Sequence, residues 1–334
     1  MAIFLGTHGI RVRARSQLQS LGFILSVAQL AQGVSVADGL ALLAAEFPEV
    51  VADANHRYQL EGAGRVYAHT QMGFDDQKPC ETHATIGMID TLVDVDDPLL
   101  KDSQIEVIDV LPAGVARAES THGTAVAAIL TGADKDGFVS VAPRSQIISV
   151  AAFRLKGDSN ADTTVQWIVT GMDRLVEREV DVINVSLGGA PNRLLEMTMK
   201  RLDQLGVAVV AAAGNGGPQA AAVYPAAYDS VIAVTAIDAN QKLFRDANIG
   251  DYVDFSAPGV DVFVPTQIGR HYVSGTSYAA PFITAAIAAA RTMHSPTTPR
   301  ELVGRLAAVS EDLGAAGFDP LYGWGLPNMS ALCE

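Results

Sequence analysis

A chain of 334 residues, 49% of them hydrophobic, can bury one large core with a small unit beside it. Its 37 acidic residues against 23 basic ones leave a net charge of −14, which argues against a nucleic acid or other polyanion as partner. Aromatics make up only 6%, and alanine, valine, leucine and glycine carry the apolar share, a mix that suits helices lying close on a sheet.

Taken in chain order, the first segment admits two readings. Arg11, Arg13 and Arg15 precede the apolar stretch 21–30, and Ser35-Val36-Ala37 has the small residues of a cleavage site, as in a secretory signal. Gln29 and Gln32 interrupt that stretch and the basic part is long, which favours a folded segment and leaves no clear signal peptide. On the folded reading, residues 22–28 form a strand, residues 36–47 a helix with Asp38 in its first turn and Pro48 at its end, and residues 50–52 another short strand. Periodicity vanishes between 61 and 78 among Gly62, Gly64, Gly73 and polar residues, as in a linker.

Beyond the linker, strands alternate with helices. Residues 85–89, 147–151, 180–185, 207–213 and 231–236 are continuous apolar runs, the pattern of parallel strands buried on both faces. Residues 122–130, 164–178 and 194–205 read as helices between them, and 282–290 as a further apolar helix with Pro281 in its first turn. This is an α/β chain with a doubly wound, mostly parallel sheet and helices on both faces. No apolar run has the length of a membrane span; the best, 279–290, is short and holds Pro281 and Thr284. Cys80 and Cys333 form neither a disulfide framework nor a zinc site and read as unrelated thiols. In an exported protein they have a second reading, a disulfide joining the two ends of the larger domain.

In doubly wound sheets, functional groups gather beyond the carboxyl ends of the strands. Asp90 stands there directly after Gly87-Met-Ile89, His122 opens a helix in Thr121-His-Gly-Thr-Ala-Val-Ala-Ala128, and Ser277 lies in Val273-Ser-Gly-Thr-Ser-Tyr-Ala-Ala-Pro281. Singly, each has an ordinary structural explanation as a cap, a packed imidazole or a helix N-cap. Together and in this order they resemble the three signature blocks of the subtilase family. Val182-Ile-Asn-Val-Ser-Leu-Gly-Gly189 resembles the family's substrate-binding strand, and Ala211-Ala-Ala-Gly-Asn-Gly216 its oxyanion-hole segment. Val141-Ala-Pro143, Tyr224-Pro225, Phe255-Ser-Ala-Pro-Gly259 and Gly323-Trp-Gly-Leu326 match further landmarks in order. The chain departs from the pattern at Leu92, Ala125, Ala128 and Tyr278, none of which removes a catalytic group.

The resemblance implies a serine endopeptidase. Ser277 is then the nucleophile, His122 its general base, Asp90 the group that orients His122, and Asn215 an oxyanion donor. Ser186, Leu187 and Gly188 would pair with an extended polypeptide substrate, and Ala212, Ala213 and Gly214 would face them across the specificity pocket. Val223 would close the base of that pocket and favour small or medium uncharged side chains. Residues 1–60, ending Asp53-Ala-Asn-His-Arg-Tyr58, resemble a prodomain that inhibits its own cleft, though shortened at its start, with 61–80 as linker and processing site and 81–334 as catalytic domain. Leu99 stands where the family has an acidic calcium ligand, yet Asp94, Asp96, Asp97, Asp134 and Asp136 keep calcium open as a cofactor. The family favours a secreted or periplasmic monomer that contacts neither membrane nor nucleic acid. The alternative is a catalytically silent subtilase-like binding scaffold, whose sign, a lost triad member, is absent. A nucleotide-binding fold fails because Gly62-Ala-Gly64 lacks the following glycine and precedes the first core strand; an α/β-hydrolase fails because no G-x-S-x-G surrounds Ser277.

Overall fold

Apolar strands without alternation need cover on both faces, and helices supply it. The computed structural model describes residues 8, 10–19, 23–53, 67–74, 83–133, 138, 140–157, 160–266, 269–293 and 298–333. They fall in two compact units, Met1–Ala63 and Gly64–Glu334.

In the smaller unit, β1 (Arg11–Leu18) and β2 (Phe23–Gln29) form an antiparallel hairpin with a bulge between Val12 and Ala14. Helix α1 (Val36–Glu46) follows, and the Ser35 hydroxyl caps it by accepting the Asp38 N–H at 3.1 Å. Strand β1 was not expected. Arg11, Arg13 and Arg15 lie along it, but the bulge breaks their alternation: Arg11 pairs with Gln29 and Arg15 with Ser26, which face opposite sides of β2. Residues 50–52 are not the expected strand: the Val50 N–H closes a turn onto Phe47 O, and Val51 is 99% exposed.

The larger unit opens with α2 (Tyr67–Gln71), β3 (Thr85–Asp90), β4 (Ile105–Asp109), α3 (Thr121–Thr131) and β5 (Gln146–Ala151). A small hairpin, β6 (Arg154–Lys156) and β7 (Asn160–Asp162), leads to α4 (Val165–Val176), β8 (Val182–Val185), α5 (Arg193–Gln204), β9 (Ala208–Ala212), β10 (Ile232–Ile237) and β11 (Phe255–Pro258). The hairpin β12 (Val262–Thr266) and β13 (Gly269–Val273) precedes α6 (Thr276–Met293) and α7 (Pro299–Ala308); β14 (Ser310–Glu311), β15 (Leu326–Pro327) and α8 (Met329–Leu332) complete the chain. Seven strands make one parallel sheet in the order β11-β10-β9-β8-β3-β5-β4. The doubly wound expectation holds, with β4 and β11 added at the edges.

Side chains alternate across the sheet with period two. Ile86, Met88, Val182 and Val210 join the core under α3 and α6, while Ile89, Ile183, Val185 and Val209 join the core under α4 and α5. Asn184 shares the face of Val182 and is wholly buried toward α6. Helix α6 lies close because its buried face is mostly alanine. It begins at Thr276, six residues before the predicted start, so Pro281 sits in its second turn rather than its first. There the proline deletes the N–H that would serve Ser277 O.

The expected linker is only partly one. Helix α2 buries Ala68, His69 and Met72, the Tyr67 hydroxyl donates to Val260 O at 2.5 Å, and the Gln71 amide donates to Asp238 O at 3.0 Å. The Met329 N–H donates to Met72 O at 2.7 Å and the Ser330 hydroxyl to Gly73 O at 2.6 Å, so residues 67–74 are held by the last helix of the same unit. Cys333, at the end of α8, is disulfide-bonded, which overturns the free-thiol reading there. Cys80, the chain's other cysteine, lies outside the described residues. Among the described residues, no helix is long and apolar enough to cross a membrane.

Asp254, just before β11, gives the unit a pH dependence. Burial pushes its carboxyl up to about 7, opposed by one hydrogen bond, 2.8 Å from the Ala233 N–H. The fold therefore holds a proton that the unfolded chain releases near pH 4, and stability falls as pH rises from that value through 7. Asp254→Asn keeps an acceptor for Ala233 and cannot ionise. In a Ser277→Ala background it should raise Tm at pH 8 by about 3 °C or more and leave Tm at pH 4 nearly unchanged. Equal shifts at both pH values in calorimetric melts would refute a titrating Asp254.

Candidate active site

The register of the sheet brings the first candidates level. Ile89 pairs with Val185 and Asp90 with Ala151, so Asp90 and Ser186 stand at the same height on the carboxyl edge. Asp90 is 2% exposed, and its Oδ1 accepts from the Thr91 N–H at 2.7 Å and from His122 Nδ1 at 2.7 Å. His122 is the second residue of α3. That helix can come so close because Gly123 follows: a Cβ there would lie 2.6 Å from Thr91 O. The Gly123 N–H donates to Thr91 Oγ1 at 2.9 Å and the Asp94 N–H to Thr124 Oγ1 at 2.9 Å, which ties the helix start to the strand end.

With Nδ1–H given to Asp90, Nε2 is the nitrogen left to take a proton. Burial lowers the His122 pKa, but the charge of Asp90 and its hydrogen bond outweigh burial, and the net shift is upward from 6.5. The Tyr278 ring lies against the imidazole, centroids 5.2 Å apart at 44°. Its hydroxyl is pushed up by burial and then by the Asp90 charge. Tyr278 follows Ser277, so this contact brings the starts of α3 and α6 together.

Ser277 is the second residue of α6. Its hydroxyl donates to Ser186 O at 3.4 Å, while the Ser186 hydroxyl donates to Ser277 O at 2.9 Å. Asn215 lies in the loop after β9, with its Oδ1 accepting both the N–H and the hydroxyl of Thr276 at 2.9 Å. That double acceptance fixes which end of the amide is oxygen, so Nδ2 turns to Gly275, where a Cβ would stand 3.2 Å from it. Gly275 has φ +148°, a conformation that suits glycine, and it leaves space beside the amide donor.

The pocket residues divide. Gly188 and Gly214 flank Val223: a Cβ on Gly188 would lie 3.1 Å from Val223 Cβ, and one on Gly214 3.0 Å from Val223 Cγ2. Gly189 pairs with Tyr224 in a short antiparallel bridge, with N–H···O distances of 2.9 and 3.0 Å. Leu187 is half-buried against the α4–α5 core. Ala212 and Ala213 are almost wholly buried, and Ala213 O accepts the Tyr252 hydroxyl at 2.7 Å. The suggested calcium ligands are described only in part. Asp94 and Asp97 spend an oxygen each on the backbone N–H groups of Asp96 and Leu99, while Asp134 and Asp136 lie outside the described residues. No metal-binding group of three His, Cys, Asp or Glu occurs among the described residues.

Several supporting groups were not read from the sequence. Thr276 orients Asn215, and Asn248, wholly buried, braces the same loop by accepting the Gly216 N–H at 2.8 Å and donating to Ala221 O at 3.0 Å. Asn184 and Thr284 are also wholly buried. A polar residue inside an apolar strand or an alanine-rich helix was the available signal, because it must find a partner there.

A model of the subtilase family matches residues 81–325. Over 218 residues the chain is 35% identical to the minor extracellular protease Epr of Bacillus subtilis, covering 64% of this chain and 33% of that protein. It is 33% identical over 220 residues to subtilisin DY of Bacillus licheniformis, covering 64% of this chain and 77% of that one. The psychrophilic subtilisin-like protease Apa1 of Pseudoalteromonas sp. AS-11 has the same fold, with a TM-score of 0.69 at 17% identity over 80% of this chain and 96% of that one.

The geometry sets the direction of the pH response. If His122 is the general base that the resemblance implies, it must be neutral to act, and with its pKa raised from 6.5 kcat/KM should fall on the acid side with an inflection above that value. Asp90→Asn removes both effects that raise it and leaves burial. The inflection should then move to lower pH and kcat drop by about 10⁴. An unmoved inflection in the pH–rate profile would disprove the pairing as its cause.

Proposed function

The chain belongs to the subtilase family, and we propose that it hydrolyses peptide bonds through Asp90, His122 and Ser277. The observation that carries this reading is the 2.7 Å bond between Asp90 Oδ1 and His122 Nδ1, with Tyr278, the neighbour of Ser277, lying against the same imidazole.

Serine oxygen needs a base as it attacks. His122 takes the Ser277 proton on Nε2 and later delivers it to the leaving amine, while Asp90 holds the tautomer and stabilises the imidazolium. The scissile carbonyl becomes tetrahedral as the Ser277 Oγ–C bond forms, and Asn215 Nδ2 with the Ser277 N–H receives its oxyanion. Collapse expels the amine and leaves an acyl-enzyme. Water, deprotonated by His122, then releases the acid and restores the hydroxyl. An extended polypeptide lies along Ser186–Gly188 as an added strand. Val223 between Gly188 and Gly214 supports a shallow pocket for small or medium uncharged side chains.

The N-terminal unit serves on this reading as an inhibitor of its own cleft, removed by self-cleavage between Tyr58 and Lys78. Because residues 67–74 are packed into the larger unit, the cut falls before Tyr67. Tethering makes the first cut intramolecular. Export to an oxidising compartment agrees with the disulfide at Cys333.

Ser277→Ala should fold, stay full length and hydrolyse nothing, while wild type loses roughly 6–8 kDa from its N-terminus by mass spectrometry. Turnover of a chromogenic peptide by the folded variant would sink the nucleophile assignment, and an active wild type that keeps all 334 residues would sink the processing scheme. Asn215→Ala should lower kcat by about 10² to 10³, the loss recorded when subtilisin gives up its oxyanion-hole asparagine, with little change in KM. A rise in KM alone would contradict an oxyanion role.

A further inference from the structure

In a helix, the residue four places after Ser277 donates its N–H to Ser277 O. Here that residue is Pro281, which has none, so the carbonyl of the residue assigned as nucleophile lacks its helical partner. The Ser186 hydroxyl replaces it, donating at 2.9 Å from the end of β8. A hydroxyl has one proton and can rotate, and what aims this one is Asn184, whose Nδ2 donates to Ser186 Oγ at 3.0 Å. With that lone pair occupied, the proton of Ser186 is turned toward Ser277.

The chain continues inward. An asparagine amide can serve Ser186 with either end, and reversal would present Oδ1, capture the Ser186 proton and leave Ser277 O without a donor. Thr284 opposes reversal: its hydroxyl lies 3.0 Å from Asn184 Oδ1. The other acceptor in reach is Ala280 O, also at 3.0 Å, and that oxygen is the helical partner of the Thr284 N–H. Turning the proton to Ala280 would set two lone-pair-bearing oxygens against each other at Asn184. The arrangement with one donor for each acceptor is Thr284 to Asn184 to Ser186 to Ser277. Thr284 and Asn184 are wholly buried and Ser186 is 8% exposed, so water does not compete for these groups.

We propose that Thr284, acting through Asn184 and Ser186, is a positioning residue that sets the place of Ser277 at the start of α6. It lies two helical turns from the nucleophile and never meets substrate. Its hydroxyl fixes an amide, the amide fixes a hydroxyl, and that hydroxyl fills the acceptor that Pro281 leaves open. Ser186 thereby holds Ser277 at two points, its carbonyl receiving the Ser277 hydroxyl in the resting state at 3.4 Å. The proposal rests on the reading of Ser277 as nucleophile.

The test compares Thr284→Val, which keeps shape and removes the donor, with Thr284→Ser, which keeps the donor and removes a methyl. Both are measured in the full chain as it matures. The readouts are kcat and KM per titrated active site on a chromogenic peptide, and the second-order rate of Ser277 labelling by a fluorophosphonate. Thr284→Val should lose about five- to tenfold in kcat and labelling rate with KM within about twofold, and Thr284→Ser should stay within about twofold of wild type. In a Ser186→Ala background, Thr284→Val should add less than about twofold, because both act along one path. Wild-type kcat in Thr284→Val, or an equal loss in Thr284→Ser, overturns the positioning role. Should Thr284→Val fail to fold, Thr284→Ala, which only vacates space, carries the same expectation. A wild-type chain that neither labels nor hydrolyses overturns the nucleophile assignment and the positioning role with it. An active wild type with an unaffected Thr284→Val overturns the positioning role alone.

Discussion

Burying a carboxylate at the end of a central strand is costly unless charge and hydrogen bonds answer it. Asp90 sets that demand, and much of the site follows. Its Oδ1 is shared by the Thr91 N–H and His122 Nδ1, while Oδ2 is buried with no hydrogen-bond partner among the described residues. The imidazole is therefore the group able to offset the charge, and it must arrive on a helix that approaches closely. Gly123 makes the approach possible, and Thr91 and Thr124 fix it with two side-chain acceptors. Without that docking, His122 would be a solvated side chain with no preferred tautomer.

The start of α6 depends on a deficit rather than a charge. Pro281 removes one helical donor, and the helix nevertheless runs from Thr276 to Met293. An unserved carbonyl in a dry helix start would favour fraying. Ser186 relieves this from the sheet, which binds the helix start to the strand that carries substrate backbone in the proposed mode. Ser277 and the end of β8 thus share one hydrogen-bonded frame. A shift of either moves the other, and catalysis is sensitive to displacements of that order.

The catalytic face was far more legible in the sequence than its supports. Asp90, His122 and Ser277 stand in ordered motifs at strand and helix ends, and the runs 85–89 and 231–236 could only be buried parallel strands. Strand β4 escaped because Glu106 and Asp109 break its apolar run at the edge of the sheet, where one flank needs no partner. Helix α2 escaped because five residues give no periodicity, and its place depends on Val260, Asp238 and α8, far along the chain. The burial of Ala212 and Ala213 was equally hidden, since a motif records order along the chain and not which way a methyl faces. Asn184 and Thr284 were visible as polar residues in apolar surroundings, but their meeting needs the face of β8 and the phase of α6 at once.

Asp90 and Asp254 show that burial alone does not decide what a carboxylate does. Both belong to strand ends of one sheet or the residue beside it, and both accept a backbone N–H. Among the described residues Asp254 has no cation to face: its Oδ2 meets the Ala233 amide, and desolvation pushes its carboxyl up to about 7. Asp90 faces an imidazole that can become positive, and the same burial that would discourage charge on His122 is overcome by the charge beside it. One hydrogen bond to an amide leaves a carboxyl to take up a proton as pH falls. A bond to an imidazole instead makes it the group that favours a proton on its neighbour. The distinction lies in the partner, and the partner is set by which helix start the strand end meets.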